Sequence, residues 1–158
     1  GWGFIGGLAG TLAMDLLLIG VLLALGQPAG LCFSIVGDTA ARALSPAGAE
    51  ITGGVPVGIA AHYTIGPSVG MLFGAAAAAI PALRAATLKR IIVGAILYIE
   101  ILSQPLLALA AILLQMTALG TLLWFAGALA MHLLLGLVLG AAVGYGLRPA
   151  LTRRRPLG

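Results

Sequence analysis

Four stretches of this chain, about residues 2–25, 55–80, 91–114 and 122–147, contain no lysine or arginine. Each holds a single acid or histidine: Asp15, His62, Glu100 and His132 in turn. About 20 consecutive apolar residues are enough to cross a bilayer as a helix. Inside lipid, a helix is the one open-chain structure that satisfies its own backbone polar groups. The runs therefore predict an all-α, polytopic integral membrane protein: four transmembrane helices in an up-down bundle, forming one domain over residues 1–158.

Composition agrees. Hydrophobic residues make up 61% of the chain and charged residues 8%, against about 25% charged in soluble domains. Too few charges remain to clothe a water-facing surface. No charged leader or small-residue cleavage site precedes the first run, so it reads as a retained helix. The formal net charge of +4 does not point to nucleic acid, because in a membrane chain the placement of charge matters more than its total. The lone cysteine, Cys32, excludes an internal disulfide.

Seven of the eight basic residues fall in two places. Arg84, Lys89 and Arg90 separate the second and third runs, and Arg148, Arg153, Arg154 and Arg155 follow the fourth. Only Arg42 lies between the first and second. With four spans, both termini and the middle loop share one side of the membrane. The positive-inside rule makes that side the cytoplasm, which implies a multi-pass protein of the cell's inner (plasma) membrane. The arginine run Arg153–Arg155 reads as a topology anchor. The long connection at about 27–54 then lies outside. It predicts a short interfacial helix, capped by Ser34 or Asp38 and presenting Leu31, Phe33, Ile35 and Val36 to the membrane surface.

The two histidines head matching ladders: His62, Gly66, Gly70, Gly74 and His132, Gly136, Gly140, Gly144. Residues four apart share one helix face, and small residues there let helices approach closely in lipid. The first run carries a shorter version, Gly3, Gly7, Thr11, Asp15. Acid-bearing helix followed by histidine-bearing helix occurs twice, which reads as a tandem two-helix repeat related by an axis along the membrane normal. With the termini inside, all three ladders occupy the cytoplasmic half. Helices pinched together there and splayed beyond would leave the four ionisable residues at the bottom of the splay.

An ionised acid at mid-membrane costs roughly 2.5–3.5 kcal/mol on insertion scales, so such residues pair, line a path, or hold a ligand. Each carboxylate is expected to accept from an imidazole, with Ser103 and Gln104 adding polar groups on the face of Glu100. Pro67 and Pro105 free the carbonyls of Tyr63 and Ile101 nearby. Three readings follow. One is a polar network that fixes helix register. The second is cofactor ligation by His62 and His132, of haem or a chlorophyll-type tetrapyrrole, with a two-histidine, two-carboxylate metal site as a variant. The third is a proton or cation path through Asp15, His62, Glu100 and His132.

Neither H-E-x-x-H nor G-x-x-x-x-G-K-[ST] occurs, and nothing supplies a base beside Ser34, Asp38 and Thr39. The sequence favours a small non-enzymatic membrane protein, an accessory subunit of a larger complex. Its expected partners are lipids and other transmembrane subunits or further copies of itself, and not nucleic acid.

Overall fold

A computed structural model describes the backbone of residues 1–152 and the side chains of residues 1–147. Arg148, Arg153, Arg154 and Arg155, on which half of the charge asymmetry rests, lie outside the described side chains. The described chain is all-α. Four long helices, α1 (Trp2–Ala24), α3 (Val55–Ala79), α5 (Leu88–Leu113) and α6 (Ala118–Thr152), are joined by α2 (Leu31–Leu44), a 3-10 turn (Ser45–Ala47) and the one-turn α4 (Pro81–Arg84). Three of them, α1, α5 and α6, are long and apolar enough to cross a membrane. At 25 residues α3 has the length. Its four glycines, two prolines and the run His62-Tyr63-Thr64 dilute its apolar character.

Each boundary has a local cause. Gly26, at φ +69°, lets the chain turn back after α1. The α2 helix begins at Leu31 behind Gly30, without a side-chain cap. Ser34 and Asp38, expected to cap it, do other work. Ser34 Oγ donates to the Leu31 carbonyl at 2.8 Å, and Asp38 Oδ1 accepts from the Gly54 N–H at 2.7 Å. Asp38 thus fastens α2 to the chain just ahead of α3, where Gly54 takes φ +83°. Thr87 caps α5, its hydroxyl accepting from the Arg90 N–H.

The helices pack as antiparallel neighbours in the order α3, α1, α6, α5. Glycine sets the closeness of α1 and α3. A Cβ on Gly70 would lie 2.7 Å from Gly7 Cα, one on Gly74 would lie 2.9 Å from Gly3 Cα, and one on Gly66 would run into Thr11 Oγ1. The α6 ladder meets α5 in the same fashion. Cβ atoms on Gly136 and Gly140 would lie 2.6 Å from the Cα atoms of Ile96 and Ile92. A third seam joins α1 to α6, where Gly6 and Gly10 face Leu139 and Leu135.

The buried centre is small: Ala95, Leu139, Val143 and Ala77 at its heart, with Phe73, Ile91, Ile99, Met14, Met131 and Leu135 around them. Most large apolar side chains point outward, Ile101 and Ile112 each at 72% exposure. That inversion of the soluble pattern fits helices solvated by lipid. Between α3 and α5 the contact is carried by an aromatic pair, Phe73 and Tyr98, with ring centroids 5.4 Å apart, and by the Tyr98 hydroxyl donating to the Val69 carbonyl at 3.3 Å.

Candidate functional site

The α1–α3 ladder ends on a polar step. One turn beyond the Thr11–Gly66 contact, Asp15 Oδ1 and His62 Nδ1 stand 3.0 Å apart. An ionised carboxylate can only accept, so Nδ1–H donates, and the histidine tautomer is set with the proton on Nδ1. Asp15 is 2% exposed. Its second oxygen, Oδ2, is buried and has no hydrogen-bond partner among the described residues. Thr11 Oγ1, one turn earlier, donates back to the Gly7 carbonyl at 2.9 Å and does not compete for the acid.

A cover for this pair comes from α2, which crosses the start of α3. A Cβ on Gly58 would run into the Phe33 backbone, and one on Gly37 into that of Gly54. The close crossing lets the Phe33 ring meet the His62 ring edge-on, with centroids 5.2 Å apart. Helix α2 therefore fills the space beyond the ladders that spacing alone left open. Of its apolar residues, Phe33 is buried, whereas Leu31, Ile35 and Val36 are only partly covered or exposed. Burial, and secondly the charge of Asp15, push the Cys32 thiol up to about 12. The far end of α2 is tied down by Arg42, whose guanidinium donates to the Leu113 carbonyl of α5 at 2.6 Å.

His132 is placed differently. It lies within electrostatic range of His62, and its Nδ1 is buried without a hydrogen-bond partner among the described residues. Continuing the α5–α6 register by one turn sets position 132 opposite position 100, yet no hydrogen bond joins the two side chains. Glu100 Oε2 instead accepts from Gln104 Nε2 at 3.4 Å, Oε1 is buried and unpartnered, and Ser103 Oγ donates to the Glu100 backbone carbonyl at 3.0 Å. The expectation of one imidazole for each acid holds for Asp15 alone. The facing helices differ in what they present to each ladder. Gly3, Gly7 and Thr11 meet the α3 ladder, but Leu88 and Ile92 and Ile96 meet the α6 ladder. Glu100 takes the amide one turn along its own helix.

Comparison with protein families, with curated proteins and with solved structures finds no match to this chain. Its chemistry has to be read from its own residues.

Among the described residues no three His, Cys, Asp or Glu side chains converge as metal ligands, so the two-histidine, two-carboxylate set is not assembled. Two surface hollows lie away from the histidines, one along α5 at Thr87–Leu97 and one beside the end of α2 at Ala41–Thr52. The ladder glycines face neighbouring helices.

The α3 ladder also contains a pattern found around catalytic serines. Gly66-Pro67-Ser68-Val69-Gly70 fits G-x-S-x-G. A nucleophile elbow needs that serine on a sharp strand-to-helix turn. Here Ser68 sits inside α3, and its hydroxyl donates to the Thr64 carbonyl at 2.7 Å. The motif is helix-packing sequence in this setting. Cys32 and Phe33 were also invisible as neighbours of the acid–histidine pair, because the turn at Gly26 and Gly30 that folds α2 back over α3 leaves no periodic mark.

Proposed function

We propose that this chain is a non-enzymatic, four-span membrane protein with both termini cytoplasmic. It is an up-down bundle built from two copies of a two-helix unit. Its working element is the Asp15–His62 pair, which carries a proton or small cation within a larger assembly of transmembrane subunits or of its own copies. The observation that carries this reading is the burial of Asp15 at 2% exposure with one oxygen on His62 and the other unpartnered. Charged groups are costly in a membrane interior and are kept there mainly for ion or substrate pathways. His132, within electrostatic range of His62 and with its own buried unpartnered nitrogen, is the next station.

Flux into proteoliposomes loaded with a pH-sensitive dye tests the proposal. Asp15→Asn and His62→Gln fold and lose flux. Glu100→Gln keeps most of it, because Glu100 bonds to Gln104 and to neither histidine. Wild-type flux from folded Asp15→Asn sinks the conduction reading.

One observation favours a second reading. With Nδ1 engaged by Asp15, His62 resembles a metal-ligating histidine, whose other ring nitrogen is commonly fixed by a carboxylate. In that case the protein purified from its native membrane shows a Soret band or bound metal that His62→Ala abolishes. A colourless, metal-free preparation rejects it.

A further inference from the structure

The hollow on α5 lies far from the histidines and has a composition of its own. It is lined by Thr87, Lys89, Arg90, Val93, Gly94 and Leu97. On a helix these positions form two parallel rows. Lys89, Val93 and Leu97 make one ridge, and Arg90 and Gly94 lie beside it. Gly94 has no side chain, and a Cβ there would meet nothing within 4 Å. The result is an open furrow beside the Val93–Leu97 ridge, which is 46% and 56% exposed at those two residues. At its mouth stand the two cations. Both are exposed, and neither side chain has a hydrogen bond or ion pair among the described residues.

A furrow that is cationic at one end and apolar along its length matches one kind of molecule. At 1.5 Å rise per residue, Gly94 lies roughly 6 Å below Arg90 and Leu97 roughly 12 Å below Lys89. That is the distance from a phosphate group into the start of an acyl chain. The position fits as well, because α5 is apolar enough to cross the membrane and Lys89 and Arg90 stand at its first turn. We infer that the α5 furrow is a binding site for an acidic phospholipid, its phosphate held between Lys89 and Arg90 and one acyl chain laid over Gly94 against Val93 and Leu97. The inference rests on α5 spanning the membrane and is independent of what the Asp15–His62 pair does.

The test is lipid retention, read by native mass spectrometry on protein released from nanodiscs of equimolar phosphatidylglycerol and phosphatidylcholine. Each basic side chain at an anionic surface contributes about 1 kcal/mol, so the pair favours the acidic lipid roughly 30-fold. Lys89→Gln with Arg90→Gln abolishes the preference. Gly94→Leu keeps both charges and fills the furrow, and it too loses the retained lipid. Gly20→Leu, at another open glycine on α1, retains lipid as wild type does. Equal retention of the two lipids by the wild type overturns the proposal. So does undiminished phosphatidylglycerol retention by Gly94→Leu, which would reduce the effect to general surface charge.

Discussion

Replacing Gly70 by alanine tests whether the α1–α3 ladder sets the geometry of the buried pair. The added methyl would sit 2.7 Å from Gly7 Cα and closer still to the Gly3 carbonyl oxygen. Carbon atoms settle about 3.5–4.0 Å apart, so the helices must part by roughly 1 Å. Both obstacles are backbone, which cannot swing aside as a side chain can. Overpacking of this kind costs about 1–3 kcal/mol. The strain also reaches the site. His62 is two turns from Gly70, and its 3.0 Å contact with Asp15 lengthens beyond hydrogen-bond range as the seam opens. Reversible unfolding in mixed micelles supplies the stability difference, and the nitrogen-15 shift of His62 reports the hydrogen bond. Gly20→Ala is the reference, since a Cβ at Gly20 meets nothing within 4 Å. Equal stability of the two variants, with an unchanged His62 signal, would refute the idea that contact at Gly70 holds the pair together.

His62→Leu leaves Asp15 without its donor and costs about 3–5 kcal/mol, as expected for a buried pair losing one partner; His62→Gln retains an amide donor and loses less in the same unfolding assay. Cys32, its thiol raised to about 12 by burial and then by Asp15, holds little thiolate at pH 8. Maleimide therefore modifies the folded protein far more slowly than the unfolded one, and equal rates contradict the buried placement of α2. Arg42→Gln removes the bond to the Leu113 carbonyl, costs about 1 kcal/mol, and speeds Cys32 labelling by freeing the end of α2. In a Cys32→Ala background, an impermeant thiol reagent on intact cells labels cysteine placed at position 45 and spares cysteine placed at position 153; the opposite pattern reverses the proposed orientation.

Much of this architecture was readable from spacing because helical period and membrane length are strong, local constraints. The positions of α1, α3, α5 and α6 follow from apolar runs, and the meeting of Asp15 with His62 follows from two ladders of equal period on antiparallel helices. What spacing could not separate was the two halves. His132 and Glu100 share a register, yet Glu100 hydrogen-bonds to Gln104 on its own helix and not to the histidine. The role of α2 was equally hidden. Its seat over His62 depends on Gly37 and Gly58 meeting α3 and the other helix at close range, a pairing between residues with no common period. The starts of α5 and α6 came earlier than the apolar runs suggested, because Thr87 caps the one and Ala118 through Thr121 extend the other before the strongly apolar stretch begins.

A ladder of identical rungs has a weakness that the α1–α3 seam makes plain. Glycines every fourth residue mesh nearly as well after a slip of one turn, about 6 Å along the axis. Slid one way, Gly3 would rest on Gly70 and Gly7 on Gly66. Slid the other way, Gly7 would rest on Gly74. Van der Waals contact alone hardly tells these alignments apart. The rung that differs is the last one. In the observed alignment Asp15 meets His62; one slip offers the acid only Gly58, and the other offers it Gly66. Asp15 and His62 therefore act as the asymmetric tooth of an otherwise periodic key, in the way that one buried polar residue selects among the alignments of a coiled coil. Any chemistry this pair performs is done by the same two residues that tell the helices where to stop.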